Sequence, residues 1–317
     1  MTNLEALLAG IVSEPLEETR WLVLADWLDT NGDPRRGELL RLHRKLLATY
    51  CEPEAHPERQ AWQARIVELI AAGVRPCVPQ REVGLPDGEL LTFSFIPPGS
   101  FLMGGNVTDD EKPVHKVTLT KGFYLGIHPV TQAQWKAVMG KAPSHFKGPT
   151  QPVEQVSWTD CQKFCKKLSK SLKGLGKVGL PTESEWEYAC RAGATSDFHF
   201  GDAINADLVN YDGNHVWNDS PKGKYRETTT DVGSFPANPW GLFDMHGNVW
   251  EWCEDWYEAY APSDQADPQG SANGDYRVLR GGSWDYVPVN CRAACRDKFS
   301  PAYSYFNVGF RVCFRPD

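Results

Sequence analysis

Residues 241–256 read GLFDMHGNVWEWCEDW, and the fold turns on them. Gly247-Asn248 is a tight-turn pair between aromatic-rich segments. After it, Trp250, Trp252 and Trp256 bring large rings that read as core. The same turn carries cation chemistry. Asp244 and Glu251 offer hard carboxylate oxygens, and Gly247 and Val249 offer backbone carbonyls across the turn. An all-oxygen set at this spacing suits calcium better than zinc. A turn held by hydrogen bonds or salt bridges alone is the other reading.

Five more blocks accompany this one. Phe95–Gly105 reads FIPPGSFLMGG, and Phe123–Trp135 reads FYLGIHPVTQAQW. Pro152–Leu168 reads PVEQVSWTDCQKFCKKL, and Leu180–Gly193 reads LPTESEWEYACRAG. The segment Arg277–Phe314 begins RVLRGGSWDYVPVNCRAACR and closes on NVGFRVCF. Thr182 has Glu185 at capping-box spacing and opens a helix whose apolar face holds Trp186, Ala189 and Cys190. Thr131 and Thr159 open helices near Thr131–Met139 and Trp158–Leu172. Leu91–Ile96 and Lys116–Leu119 read as strands.

All six blocks, in this order, resemble the formylglycine-generating-enzyme (sulfatase-modifying-factor) superfamily over about 225 residues. The resemblance implies an α+β, loop-rich, C-type lectin-like domain. It implies structural calcium at the positions of Asp244, Gly247, Val249 and Glu251. A second calcium site would begin at Asn210-Tyr211, but Lys224 falls where its acid is needed. That site is therefore expected to be absent, or rebuilt from Asp212.

The resemblance also implies a copper(I) oxidase that turns a protein cysteine into formylglycine, with two thiolates on the metal. Counting forward from Gly281-Gly282-Ser283 puts the first copper cysteine on Tyr286 and the second near Cys291. Counting back from Gly309-Phe310-Arg311 assigns Cys291 to the Arg292–Arg296 element and leaves the copper segment short. Neither register yields two cysteines. An oxidase would have to use Cys291 with Cys295 or Cys190, beside Ser283 and Trp250, which match the family's pocket positions. Otherwise these are packing thiols, as Cys161 and Cys165 are on their helix. An iron-dependent relative would need a His-rich motif, and His43 and His56 do not form one.

Ahead of the blocks, residues 1–78 read as an all-α module. Thr2 and Glu5 form a capping box, and Leu4, Leu7, Leu8 and Ile11 make one stripe. A second helix, with Trp21, Leu24, Ala25 and Leu28 inward, should stop at Asn31-Gly32 and Asp33-Pro34. Helices over Arg36–Tyr50 and around Trp62–Ile70 follow. Arg20–Leu46, RWLVLADWLDTNGDPRRGELLRLHRKL, resembles the repeat-companion module of planctomycete proteins. Residues 79–89 read as a polar linker, and 90–317 as the second domain. On this reading residues 1–75 are removable.

The chain of 317 residues has a net charge of −8 and scattered Lys and Arg, which argues against a nucleic-acid partner. No membrane-length apolar run or signal peptide is read, so a cytoplasmic location and reduced thiols are expected. The remaining partner classes are a protein or a small-molecule ligand. A contact face is expected on Asp285, Tyr286, Asn290, Lys298, Tyr303, Tyr305 and Phe306, in a loop run between two anchored ends. Similar domains are the diversified targets of retroelements, with changes in this last segment. A binding module and a copper oxidase are thus the two functions to separate.

Overall fold

The computed structural model describes residues 2–141, 143–171 and 176–316. It opens with α1 (Asn3–Ser13), α2 (Glu18–Asn31), α3 (Pro34–Ala48) and α4 (Arg59–Ala71). The Thr2–Glu5 capping box forms, with the Glu5 amide donating to Thr2 Oγ1 and the Thr2 amide to the Glu5 carboxylate. Asp33-Pro34 does more than stop α2. Asp33 caps α3 by accepting from the Arg35 amide, and Pro34 takes the first helical position, where a missing N–H costs nothing. So α3 starts ahead of the expected Arg36 and ends at Ala48, short of Tyr50.

The rest mixes short strands and helices. In chain order these are β1 (Gln80–Gly84), β2 (Leu90–Ile96), β3 (Gly99–Met103), β4 (His115–Leu119), β5 (Phe123–Gly126), α5 (Gln132–Met139), α6 (Trp158–Ser171), β6 (Lys177–Gly179) and α7 (Glu183–Arg191). Then come β7 (Trp250–Trp256), β8 (Gln265–Ala266), β9 (Arg277–Arg280), β10 (Arg296–Phe299), β11 (Val308–Gly309) and β12 (Cys313–Arg315). Three sheets form, in the orders β1-β2-β5-β12-β6, β10-β9-β7-β11 and β3-β4-β8. Thr131 and Thr182 cap α5 and α7 with full capping boxes. Leu172, the expected end of α6, lies outside the described residues. No helix among the described residues is long and apolar enough to cross a membrane.

Two expectations about organisation fail. The stretch 79–89 is not a free linker, because Gln80–Gly84 pairs along its length with Leu90–Ser94 as an edge strand. Its exposed, mostly polar side chains hid a backbone that pairs along one edge with β2. The helices are not a detached module either. Ile11, Trp21, Leu24, Leu28, Leu40 and Tyr50 share one apolar cluster with Ile96, Phe101, Trp186 and Trp240. Tyr50 Oη donates to Ala194 O at 3.0 Å and Arg59 Nη2 to Gly193 O at 2.7 Å.

Helix α7 is buried along its whole length, charged residues included. Its three glutamates pair with arginines from later strands and with Arg191 at the helix's own end. Glu183 pairs with Arg296, Glu185 with Arg315, and Glu187 with both Arg280 and Arg191. Glu111–Arg292 and Glu251–Arg311 repeat the pattern elsewhere. Buried carboxylates here come with a guanidinium, which is how an interior tolerates charge.

Candidate functional site

The turn 244–249 is built from left-handed backbone: φ is 54° at Asp244, 74° at Gly247 and 65° at Asn248. Only glycine fits at 247, where a Cβ would lie 2.3 Å from Asn210 O. The Gly247 amide donates to Gly281 O and the Asn248 amide to Asn210 O, which ties this turn to the Gly281-Gly282-Ser283 turn and to residue 210. Glu251 accepts from Arg311 Nε and Nη2, each at 2.6 Å, and from Trp186 Nε1 at 2.8 Å. Three of its roughly four lone-pair sites are thus taken. Asp244 differs. Its Oδ2 accepts from the Gly233 amide at 2.7 Å, and its Oδ1 is buried with no hydrogen-bond partner among the described residues. Burial pushes the carboxyl up to about 6, against the Gly233 amide and Arg311. A buried, orphaned carboxylate oxygen on a turn of this shape fits a hard cation.

At the second calcium motif, Asn210 Nδ2 donates to Thr228 O and Asn248 Oδ1, while Lys224 is exposed. Asp212 accepts from the Asn214 amide.

Ser283 Oγ donates to Asp285 Oδ1 at 2.6 Å, and Asn307 Nδ2 donates to the same carboxylate. Tyr286, at the position expected for a copper thiolate, sets its ring edge-on to Trp250 with centroids 5.3 Å apart. Cys291 and Cys295 pack into different apolar clusters, the first with Phe198, Ile204 and Tyr211, the second beside Trp250 and Trp252. Burial raises both thiols, Cys295 to about 12, so thiolate is scarce at either. Cys190 lies against His246 Nε2 at 3.7 Å. Among the described residues no three His, Cys, Asp or Glu side chains converge as a metal set.

The expected contact face is brought together in part. Tyr303 stacks on Phe299 at 4.0 Å, Tyr305 lies 4.0 Å from Phe306, and Phe306 lies 5.7 Å from Trp284. Tyr305 is 43% exposed, while Tyr303 and Phe306 are half-buried under their neighbours. The rings form one continuous slope. Lys298 leaves it: on β10 it alternates away from Phe299 and sits over Tyr257 at 4.1 Å. Asp285 is held in the Ser283–Asn307 network, and Asn290 turns its amide to Cys295. The run is also less loop-like than its sequence suggests, since β10 and a short helical turn at Pro288–Cys291 lie inside it. Five members of the slope come from outside the expected set: His145, Phe146, Tyr225, Trp284 and Phe299. Nothing local in the sequence places the first three there.

Comparison with known proteins fits this geometry. Residues 83–316 match the family model for the sulfatase-modifying factor enzyme 1-like domain. A Chlamydia caviae protein described as serine/threonine-protein kinase pkn1 is 34% identical over 73% of this chain, and the match spans only 39% of that protein's length. The formylglycine-generating enzyme of Mus musculus is 31% identical over 67% of this chain and 56% of its own. Among solved structures, Treponema denticola variable protein 1 superposes with a TM-score of 0.66 at 27% identity, covering 75% of this chain and 99% of that one. PvdO from Pseudomonas aeruginosa gives 0.61 at 29% identity, covering 71% and 94%. These neighbours have C-type lectin-like folds.

Proposed function

Because the chain belongs to the sulfatase-modifying factor enzyme 1-like family yet has Tyr286 where a copper thiolate is needed, we propose that it is a binding module for a protein or small-molecule ligand and not a formylglycine-generating oxidase. The carrying observation is the aromatic slope of Trp284, Phe299, Tyr303, Tyr305 and Phe306, mounted beside the rigid Gly281-Gly282-Ser283 turn. Partly exposed rings on a fixed scaffold give contact area at low entropic cost. A phenol with an ordinary pKa near 10 is a poor ligand for a soft metal, and burial raises that of Tyr286 further, to about 12. Incubation with copper(I) and a Cys-x-Pro-x-Arg peptide should give no aldehyde. Aldehyde formed by the wild type and lost in Cys291→Ala would establish the oxidase instead. A reverse transcriptase beside the gene, with an imperfect repeat of the last coding segment, would favour a retroelement-diversified binder.

The turn at Asp244 is proposed to hold one structural calcium ion through Asp244 and Glu251 and the carbonyls of Gly247 and Val249. A cation that binds only the folded state must raise its stability. Adding calcium after chelation should therefore raise Tm, and Asp244→Ala should abolish the rise. The pH dependence has a definite sign. The ion takes the deprotonated carboxyl, so the calcium-induced rise should be full above pH 6 and fade as pH falls through about 6. Without calcium, the raised pKa means that ionising Asp244 costs stability as pH climbs from about 4 toward 6. No calcium-dependent shift at neutral pH would refute the site.

A further inference from the structure

Where the three-stranded sheet meets the start of α7 and the end of β7 lies a cavity of about 170 Å³. Its lining includes His115, Glu183, Asp255, Trp256, Tyr260 and Arg296. Asp255, like Asp244 and Glu154, departs from the arginine pairing seen at the other buried carboxylates. It is 5% exposed and has no ion-pair partner among the described residues, whereas Glu183, Glu187, Glu111 and Glu251 each hold an arginine. Asp255 Oδ2 accepts from the Glu183 amide at 2.7 Å, and its Oδ1 has no hydrogen bond among the described residues. His115, 7% exposed, donates Nδ1–H to Pro113 O at 2.9 Å, so in the neutral ring Nε2 is a lone pair without a protein donor. Two acceptors on largely buried residues therefore open into one space. The cationic groups at the wall are already committed, since Arg296 pairs with Glu183 and donates to Asp110 O and Glu258 O.

We propose that this cavity binds a small organic cation bearing N–H donors, an alkylammonium or guanidinium group, with Asp255 as its counter-ion and His115 Nε2 as a second acceptor. A bare metal ion suits it less well. No three ligating side chains converge there, and the space has room for several waters or a short amine. The aromatic walls of Trp256 and Tyr260 fit the apolar stem of such a ligand. Burial and the neighbouring Glu183, with Glu185 and Glu254 beyond, push the Asp255 carboxyl up to about 8. A bound cation would offset these carboxylates and favour ionised Asp255.

Titration calorimetry on the full chain with n-butylammonium, methylguanidinium and the tripeptide Ala-Lys-Ala tests the assignment. Binding by at least one probe is expected. The free amines binding alone identify a metabolite-sized ligand, and the tripeptide binding as well identifies a side chain. Affinity should rise with pH up to about 8 and then level off, because the cation needs ionised Asp255. Asp255→Asn keeps an acceptor for the Glu183 amide and should weaken binding at least tenfold with little loss of Tm. If that variant folds poorly, Ala261→Trp, on the exposed rim, should block binding with Tm unchanged. No heat from any probe at millimolar concentration, or equal affinity in Asp255→Asn, would overturn the proposal.

Discussion

Deleting residues 1–75 should leave a chain that aggregates or melts far below the intact protein. The helices look separable in sequence but are structurally a wall of the main core. Trp21, Leu24, Leu28 and Leu40 are at most 2% exposed and share a cluster with Phe101, Trp186 and Trp240. The His43 ring sits 4.3 Å from Trp240, and Leu46 covers Gly193. Each large apolar side chain buried this fully is worth about 1.5–3 kcal/mol. Removing the helices uncovers their partners at several places at once and leaves Gly193 O and Ala194 O without the donors from Arg59 and Tyr50. The total is of the same order as the roughly 5–15 kcal/mol by which a typical domain is stable. Expression of residues 76–317 with a thermal melt decides the matter. A soluble fragment melting within a few degrees of the intact chain would show that the helices are accessory.

Glu187→Gln should cost about 3–5 kcal/mol, the usual penalty for breaking a buried ion pair from one side. Glu187 is fully buried and accepts from Arg191 Nε at 2.8 Å, from the Gly104 amide at 2.9 Å and from Arg280 Nη2. The glutamine is nearly isosteric, so the loss comes from two interior guanidinium groups deprived of their shared anion, with only the more distant Glu183, at 3.8 Å, left to Arg280. Urea unfolding measures it as a lower midpoint at unchanged slope. Burial alone would raise the Glu187 pKa, but Arg191 and Arg280 outweigh it and hold the group below its ordinary value. A depressed folded pKa stabilises above the unfolded value, near 4.3, and that contribution is lost as pH falls through the folded one. The gap between wild type and Glu187→Gln should therefore be full at neutral pH and narrow in acid. A constant gap from pH 7 to pH 2 would assign the loss to packing.

What the sequence made legible was local. Capping boxes at Thr2, Thr131 and Thr182 are closed over three residues, so their pattern is visible before any folding. The turn at Gly247-Asn248 is equally local, because its left-handed backbone demands particular residues. Strand β1 was not legible: QREVG has one buried side chain, and its evidence is a ladder to β2. The buried arginines were visible only as scattered charges, since Arg296 and Glu183 are 113 positions apart. The same holds for the slope, where Phe146 and Trp284 meet, and for the cavity, whose walls come from widely separated stretches. Asp255 stood in plain view in the quoted block, yet what distinguishes it is the cavity that it lines, which no spacing reveals.

Strand β12 lies between β5 and β6 and bonds to both. Residues 123–126 and 177–179 emerge from a ribosome well before residues 313–315 and wait with unpaired edges facing one another. Synthesis thus leaves the largest sheet with a gap in its middle until its final strand is released, an interval in which open edges invite pairing with other chains. A premature stop at position 313, which removes residues 313–317, would make that gap permanent. Such a product should be cleared by proteolysis or held by chaperones, although it keeps every residue of the slope, the turn and the cavity.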